Sequence, residues 1–341
     1  MARDPGTDPG PPGREGGLAG YTWGDYVAQL AADHGSLAAV ALRLAELATT
    51  PDDVASVERA LRRLRRRGNL DGGDYGRRLL RVFGLPRPIE ARVKWMGVYH
   101  SRFCDLPRSL CRDQLRVWDR PPVRESRARV WIELGLASVA LRARELDAAD
   151  LHLRRARAAA PTELAARVEL DLVAAFLASK RGERDAVARA LADADALLAH
   201  DSSAALSPEE RACLQVRAID QRAYQQHNPP DGAAPDPHAA LALYATIPRD
   251  DLHPFVSYRR DAGLAHTHHV LGDRTRAIDL AAAAVEHAGD GGYLRLRAMG
   301  LHLLARILGA EQGAPARARA LAIARRLEDE ELLGRIERAR R

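Results

Sequence analysis

Three closely spaced histidines, His266, His268 and His269, come nearest to a metal site in residue type and spacing. His266 and His269 are three positions apart, so on a helix they would share one face and both could contact a metal. The sequence offers no further ligand at a suitable spacing, and histidines are favourable near the C-terminus of a helix. We therefore interpret these histidines as structural and predict neither a metal site nor a cofactor.

The sequence lacks the motifs that mark common catalytic and nucleotide-binding sites. It contains no G-x-x-x-x-G-K-[ST] loop, no H-E-x-x-H and no G-x-S-x-G. Gly72, Gly73 and Gly76 superficially suggest a dinucleotide loop, but they follow a basic helix rather than a strand, and no βαβ pattern surrounds them. These features predict a protein that is not an enzyme and that has no catalytic residues.

Cysteine usage and the N-terminal composition bear on the compartment. Cys104, Cys111 and Cys213 are too few and too scattered for a disulfide framework or a CxxC zinc site, so a reducing cytoplasm is the simplest location. Residues 1–20 are rich in Gly, Pro and charge and lack the apolar core of a signal peptide, which predicts a disordered tail. No run of about 18 apolar residues occurs, so the sequence predicts no transmembrane helix and no membrane partner.

Positive charge is concentrated in one part of the chain. The net charge of the whole sequence is +6, and Lys94 and Lys180 are its two lysines, so arginine supplies nearly all the positive charge. Residues 21–120 carry +6, whereas residues 1–20 carry −1 and residues 121–341 carry +1. The basic excess therefore lies in an N-terminal module.

This module has the layout of a helix-turn-helix. The segments YTWGDYVAQLAADHG and SLAAVALRLAEL predict two helices, with Gly35 as the C′ residue of the first and Ser36 as the N-cap of the second. The segment PDDVASVERALRRLRRRG predicts a third helix, with acids in its first turn, arginines in its last turn and Gly68 after it. The order resembles helix-turn-helix regulators, and NLDGGDYGRRLL would be a wing-like turn.

The resemblance implies that arginines of the third helix and of the wing reach phosphates and guanine edges in a major groove. The implied DNA contacts are Arg59, Arg62, Arg63, Arg66, Arg67, Arg77 and Arg78. The alternative interpretation is a solvated helix face in an arginine-rich protein. The connection ATTPDDV, which is longer than the tight turn of a simple helix-turn-helix, favours that alternative.

Composition favours helices throughout the chain. Hydrophobic residues make up 46% of the sequence but aromatic residues only 5%, so a core must be built mainly from Ala, Leu and Val. Such a core suits closely packed helices better than a β-sandwich. Trp95, Tyr99 and Phe103, at positions i, i+4 and i+8, predict one helical face that packs against the following helices.

A recurring helical hairpin is the strongest pattern in the sequence. Its first copy contains, in order, Trp131, Leu134, Gly135, Ala149, Leu153, Ala156 and Pro161. A small residue at a helix crossing lets two backbones approach, and the large residue one turn later fills the next groove. The second-helix pattern recurs at Val187, Ala240, Ala277 and Ala318, with spacings of 38, 53, 37 and 41 residues from Ala149 onward.

These motifs resemble the tetratricopeptide (TPR) family over about residues 126–330; the family's repeat is about 34 residues long. Ser138 and His268 occupy places where the family has an aromatic residue in the first helix. The resemblance implies a TPR-like α-solenoid over residues 121–341 with a loop insertion at 227–238. The tail at residues 1–20 and a basic helical module at residues 21–120 precede it.

The resemblance also implies a binding function. Stacked helix pairs form a concave surface that holds a peptide or a protein partner, and the first helices line it. The groove candidates are Arg129, Tyr224, Tyr258, Arg259, His266 and Arg297. Such a groove suits a partial negative charge or a C-terminal carboxylate. The favoured function is an adaptor or regulator, and the alternative is a DNA-binding transcriptional regulator with the solenoid as its sensor, similar in layout to peptide-sensing bacterial regulators.

Overall fold

The computed structural model describes residues 20–48, 52–199, 205–229, 234–248 and 253–338, and within these ranges every regular element is a helix. The prediction of an all-α fold is confirmed for these residues. The predicted tail, apart from Gly20, lies outside them, as do residues 230–233 of the predicted loop insertion. None of the described helices is both long and apolar enough to cross a membrane.

Six helices form the N-terminal part of the chain. They are α1 (Trp23–Asp33), α2 (Leu37–Glu46), α3 (Val54–Leu64), α4 (Gly73–Phe83), α5 (Arg87–Gly97) and α6 (Arg108–Trp118), with short 3₁₀ helices at Arg102–Asp105 and Val123–Glu125. Side-chain caps fix where the first three begin. Thr22 and Asp25 form a capping box on α1, while Ser36 and Asp53 accept backbone hydrogen bonds at the starts of α2 and α3.

The basic helix and the region after it differ from the prediction. α3 ends at Leu64, so Arg66 and Arg67 lie in the turn that follows the helix. The predicted wing-like turn is wrong, because its second half forms helix α4, which carries Arg77 and Arg78. A Cβ on Gly72 or Gly76 would overlap the ring of the fully buried Trp23, so these glycines allow close packing.

Eleven further helices follow in the described part of the chain. They are α7 (Arg129–Arg142), α8 (Leu146–Ala158), α9 (Leu164–Arg181), α10 (Arg184–Ala199), α11 (Pro208–His227), α12 (Pro237–Ala245), α13 (Pro254–Val270), α14 (Arg274–Asp290), α15 (Leu294–Leu308), α16 (Ala314–Arg326) and α17 (Glu330–Arg338). Each odd-numbered helix from α7 to α15 packs against the next even-numbered helix, which packs against the following odd-numbered one. Successive odd-numbered helices from α7 to α15 also touch one another, and so form one layer.

The recurring second-helix pattern marks buried positions in four of these helices. Its markers are at most 2% exposed at Ala149, Val187, Ala240 and Ala277. The register predicted for the last copy is wrong, because Ala318 is exposed and Ala320 and Ala324 are fully buried. On α16 the pattern of buried small residues therefore begins at Ala320, two residues after the predicted Ala318.

The aromatic face predicted around residue 99 is also wrong. α5 ends at Gly97, and Val98 takes an extended conformation. A Cβ on Gly97 would overlap the backbone of Trp131, so the close crossing of α5 and α7 requires glycine there. Trp95 on α5 is 43% exposed, whereas Tyr99 lies beyond the end of this helix, with its ring centre 6.3 Å from that of Phe176 on α9.

The two ends of the array meet, because α17 packs against α7. The carbonyl oxygen of Leu327 accepts hydrogen bonds from the backbone of Arg108 at 3.0 Å and from Nη2 of Arg142 at 2.6 Å. The apolar core does not bridge this junction. One cluster runs from α1 into α11 without a break at residue 120, whereas Leu332 and Ile336 of α17 belong to a separate cluster with α15 and α16.

Candidate binding cavity

A cavity of about 540 Å³ lies on the inner side of the odd-numbered helices. Residues of α7, α9, α11, α13, α15 and α17 line it, together with Tyr99, Tyr244 of α12 and Asn228 at the end of α11. On α9, α11, α13, α15 and α17 the lining residues recur at helical spacing, as in Leu172, Phe176 and Lys180 of α9, whereas α7 contributes Leu141. The cavity therefore results from the side-by-side arrangement of these helices.

Two buried arginines converge on Tyr99. Nη1 of Arg295 donates to the Tyr99 hydroxyl at 2.7 Å, and the guanidinium of Arg217 lies 4.8 Å from the centre of the Tyr99 ring. Glu169 fixes both partners, since its carboxylate accepts from Nη1 of Arg217 at 2.5 Å and from the backbone N–H of Tyr99 at 3.0 Å. The wall at this end is rigid, polar and electrically balanced.

A third buried arginine lies on the neighbouring helix. Nη1 of Arg259 donates to Asp220 at 2.7 Å, and the Tyr244 hydroxyl donates to the other oxygen of Asp220 at 2.9 Å. Burial, together with the Asp220 charge, raises the pKa of Tyr244 well above its ordinary value, so the hydroxyl stays a donor. Nε of Arg259 is buried and has no hydrogen-bond partner among the described residues.

The Glu331 carboxylate also lines the cavity. Its Oε1 accepts from Nζ of Lys180 and from Nη2 of Arg335, each at 2.7 Å, and its Oε2 lies 3.8 Å from Nη2 of Arg295. Burial alone would raise the pKa of Glu331, but the charges of Arg335, Lys180 and Arg295 outweigh it and lower the pKa to about 2. Glu331 is therefore ionised at neutral pH.

Cations outnumber acids along the lining of this cavity. The lining cations are Lys180, Arg217, Arg259, Arg295, Arg306, Arg335 and Arg338. Asp220 and Glu331 are the two lining acids. Arg306 and Arg338 are exposed and form no ion pair among the described residues, so the positive excess lies toward the solvent-facing side.

Of the three histidines singled out in the sequence, His266 lines the cavity, and it does so as a neutral polar group. Burial, with smaller contributions from His227 and Arg306, lowers the pKa of His266 to about 4, and the His266 ring centre lies 4.6 Å from that of His227. Burial lowers the pKa of His302, which also lines the cavity, to about 4. The described residues contain no group of three His, Cys, Asp or Glu side chains placed to hold a metal ion.

Four of the six predicted groove residues line the cavity, namely Tyr224, Tyr258, Arg259 and His266. Arg129 lies away from it and pairs with Glu133 at 3.5 Å. Arg297 packs toward α14, where its guanidinium carbon approaches Gly289. The remaining lining cations and Tyr99 were not predicted, because their positions depend on which helices meet across the cavity.

The predicted DNA contacts lie at the surface of the N-terminal helices, and most have acidic partners nearby. Arg62 pairs with Glu58 at 2.6 Å, Arg77 with Asp74 at 2.7 Å and Arg78 with Asp52 at 2.7 Å. Arg59 lies 3.9 Å from Asp53, and Arg67 donates to the backbone carbonyl of Asp71. Arg63 and Arg66 are exposed and pair with no acid in the part of the chain that the structure describes.

One cysteine lies beside a histidine and an acid, an arrangement that can activate a nucleophile. Sγ of Cys213 is 3.5 Å from Nε2 of His253, and the same nitrogen lies 2.9 Å from Glu209. However, Cys213 is 1% exposed, and burial raises its pKa to about 12. Because the thiolate is the nucleophile, this thiol is unreactive at neutral pH.

The cavity thus combines aromatic side chains, buried arginines that pair with acids, and an excess of cations near solvent. These groups can bind an anionic or hydrogen-bonding ligand, and their arrangement shows no nucleophile paired with a base. Comparison with protein-family models, with curated proteins and with solved structures found no match for this chain.

Proposed function

We propose that this protein is a non-enzymatic binding protein that holds a peptide or a segment of a partner protein in the cavity. The observation that carries the proposal is the convergence of seven cationic and four tyrosine side chains on one cavity between the odd-numbered helices. The proposal includes a TPR-like array, because the first helices of stacked hairpins line the binding groove in such proteins. The protein would act as an adaptor or a regulator.

The chemistry of the lining suits a peptide. Gln221 and Gln225 of α11 and Asn228 at its C-cap line the cavity and offer both donors and acceptors to a peptide backbone. Tyr224, which is 51% exposed, and Phe176 provide apolar surface beside them. Aromatic side chains of this kind contribute much of the binding energy at protein interfaces.

Affinity capture from a native extract, followed by mass spectrometry, tests this function. A partner bound in the cavity should be captured by the wild type and lost, by at least about tenfold in affinity, from a Tyr224→Ala, Gln225→Ala double variant. Leu151→Ala is the matched control, because Leu151 is also partly exposed but lies on α8 outside the cavity. Equal capture by the cavity variant and the control would contradict the proposal.

A second function, DNA binding by a transcriptional regulator, is favoured by the exposed Arg63 and Arg66, which have no acidic partner among the described residues. It predicts a gel shift with duplex DNA that weakens steeply as salt rises. Changing Arg62, Arg63 and Arg66 to Glu should abolish it. The same exchange at three exposed arginines of α16, Arg319, Arg325 and Arg326, should not. No shift of the wild type at low salt would exclude this function.

A further inference from the structure

The fold already binds one carboxylate inside the cavity. Glu331 comes from the last helix, but Lys180, which donates to it, lies 151 residues earlier on α9. Arg335 completes the contact from the turn after Glu331, and Arg295 lies 3.8 Å away on α15. Three different helices thus place cationic groups around a single carboxylate position.

Glu331 does not neutralise every cation that lines this cavity. Its Oε2 is buried and has no hydrogen-bond partner among the described residues; it lies 3.8 Å from Nη2 of Arg295, beyond hydrogen-bond distance. Arg306 and Arg338 line the same cavity without an acidic partner. A ligand with more than one carboxylate can therefore satisfy cations that Glu331 leaves unpaired.

The contacts that hold the start of α17 to α6 are polar. Arg108 donates to Glu330 at 2.7 Å, and the hydroxyl of Ser109 donates to Glu328 at 2.9 Å. The apolar side chains of α17 pack instead with α15 and α16, in a cluster that excludes α7. Exchange of one carboxylate for another at the cavity therefore requires no loss of apolar packing between the ends of the array.

We infer that Lys180 and Arg335, with Arg306 and Arg338 nearer to solvent, bind carboxylates of an acidic peptide, and that Glu331 is an intramolecular competitor for the same place. This inference rests on the proposed function and names the chemistry of its ligand. The nearby Phe176, Val173 and Leu172 give the peptide an apolar wall beside the cations. The preferred ligand therefore carries acidic residues next to an apolar one.

Calorimetric titration of the full-length chain with acetyl-tetraglutamate-amide at low salt tests the inference. Glu331→Gln keeps the size of the side chain but removes the competing charge, so the peptide should bind about tenfold more tightly than to the wild type. Glu337→Gln is the matched control, since Glu337 lies on the same helix outside the cavity. Acetyl-tetraglutamine-amide should bind neither variant.

Lys180→Gln provides a second, opposite readout that does not depend on the folding of the Glu331 variant. It should weaken peptide binding about tenfold, because it removes a charge-assisted contact. Equal affinities for wild type, Glu331→Gln and Lys180→Gln would overturn the inference, as would stronger binding of inorganic phosphate than of the peptide.

If equal affinities are found while partner capture still depends on Tyr224 and Gln225, the carboxylate site fails and the proposed function stands. If the affinities differ as expected but capture does not depend on the cavity, the proposed function fails alone.

Discussion

Asp329 connects the start of α17 to α7 and α15. Its carboxylate has no exposed surface, and it accepts from Nε of Arg295 at 2.7 Å and lies 3.5 Å from Nε of Arg142. It also accepts from the backbone N–H of Leu332 at 3.0 Å, which caps α17. Replacement by asparagine removes the charge while keeping the shape and the capping oxygen. The change therefore isolates the electrostatic contribution.

The expected loss of stability follows from the surroundings of Arg142 and Arg295. Removing one partner of a buried ion pair costs about 3–5 kcal/mol, because the other charge is left buried without compensation. The cost of Asp329→Asn should lie near the lower end of this range, at about 3 kcal/mol. Arg142 keeps its hydrogen bond to the Leu327 carbonyl, and Arg295 keeps its hydrogen bond to the Tyr99 hydroxyl. A change of 1.4 kcal/mol is tenfold, so the opening of α17 should become roughly a hundredfold more favourable.

Hydrogen–deuterium exchange of the α17 amides, followed by mass spectrometry, measures this opening directly. Glu58→Gln is the control, because its partner Arg62 is 62% exposed and a surface helix pair contributes about 0.3–0.5 kcal/mol. Exchange in α17 should accelerate about a hundredfold in the Asp329 variant and remain unchanged in the control. An acceleration below about tenfold would refute the view that this buried pair holds the two ends together.

Three further predictions concern the cavity and its pH dependence. Gly263→Ala should destabilise the protein by about 1–3 kcal/mol in urea unfolding, because a Cβ at this position would overlap the Tyr244 ring. Gly289→Ala is the control and should be neutral or stabilising, since its Cβ would meet nothing closer than 4.0 Å. The free energy of unfolding should fall as pH decreases from about 6.5 toward 4, since His266 and His302 have lowered pKa values and the unfolded chain takes up protons that they do not. Burial raises the pKa of Asp171 to about 6, which acts in the opposite direction and reduces the slope. A free energy of unfolding that rises as pH decreases in this window would contradict the histidine pKa shifts. His266→Gln should flatten this dependence, which urea unfolding at several pH values can measure.

Local patterns in the sequence correctly predicted the structural features that depend on residues close together in the chain. Ser36 caps α2 as predicted, and Gly35 has a positive φ of 84° at the end of α1. The small-and-large pattern of the second helices identified buried positions, because residues three and four apart share a helix face. It failed at α16, where several alanines offer equivalent registers and packing against α15 and α17 selects Ala320 rather than Ala318.

The sequence by itself determined an all-helical chain of recurring hairpins, because capping and helical periodicity are local properties. It also placed Tyr224, Tyr258, Arg259 and His266 on first helices, four residues that the structure brings to the cavity. Only the tertiary structure decided that the ends of the array meet, since the partners of Arg108 at Glu328 and Glu330 lie 220 and 222 residues away. The same closure places Lys180 beside Glu331, and no spacing along the chain encodes a contact between elements so far apart.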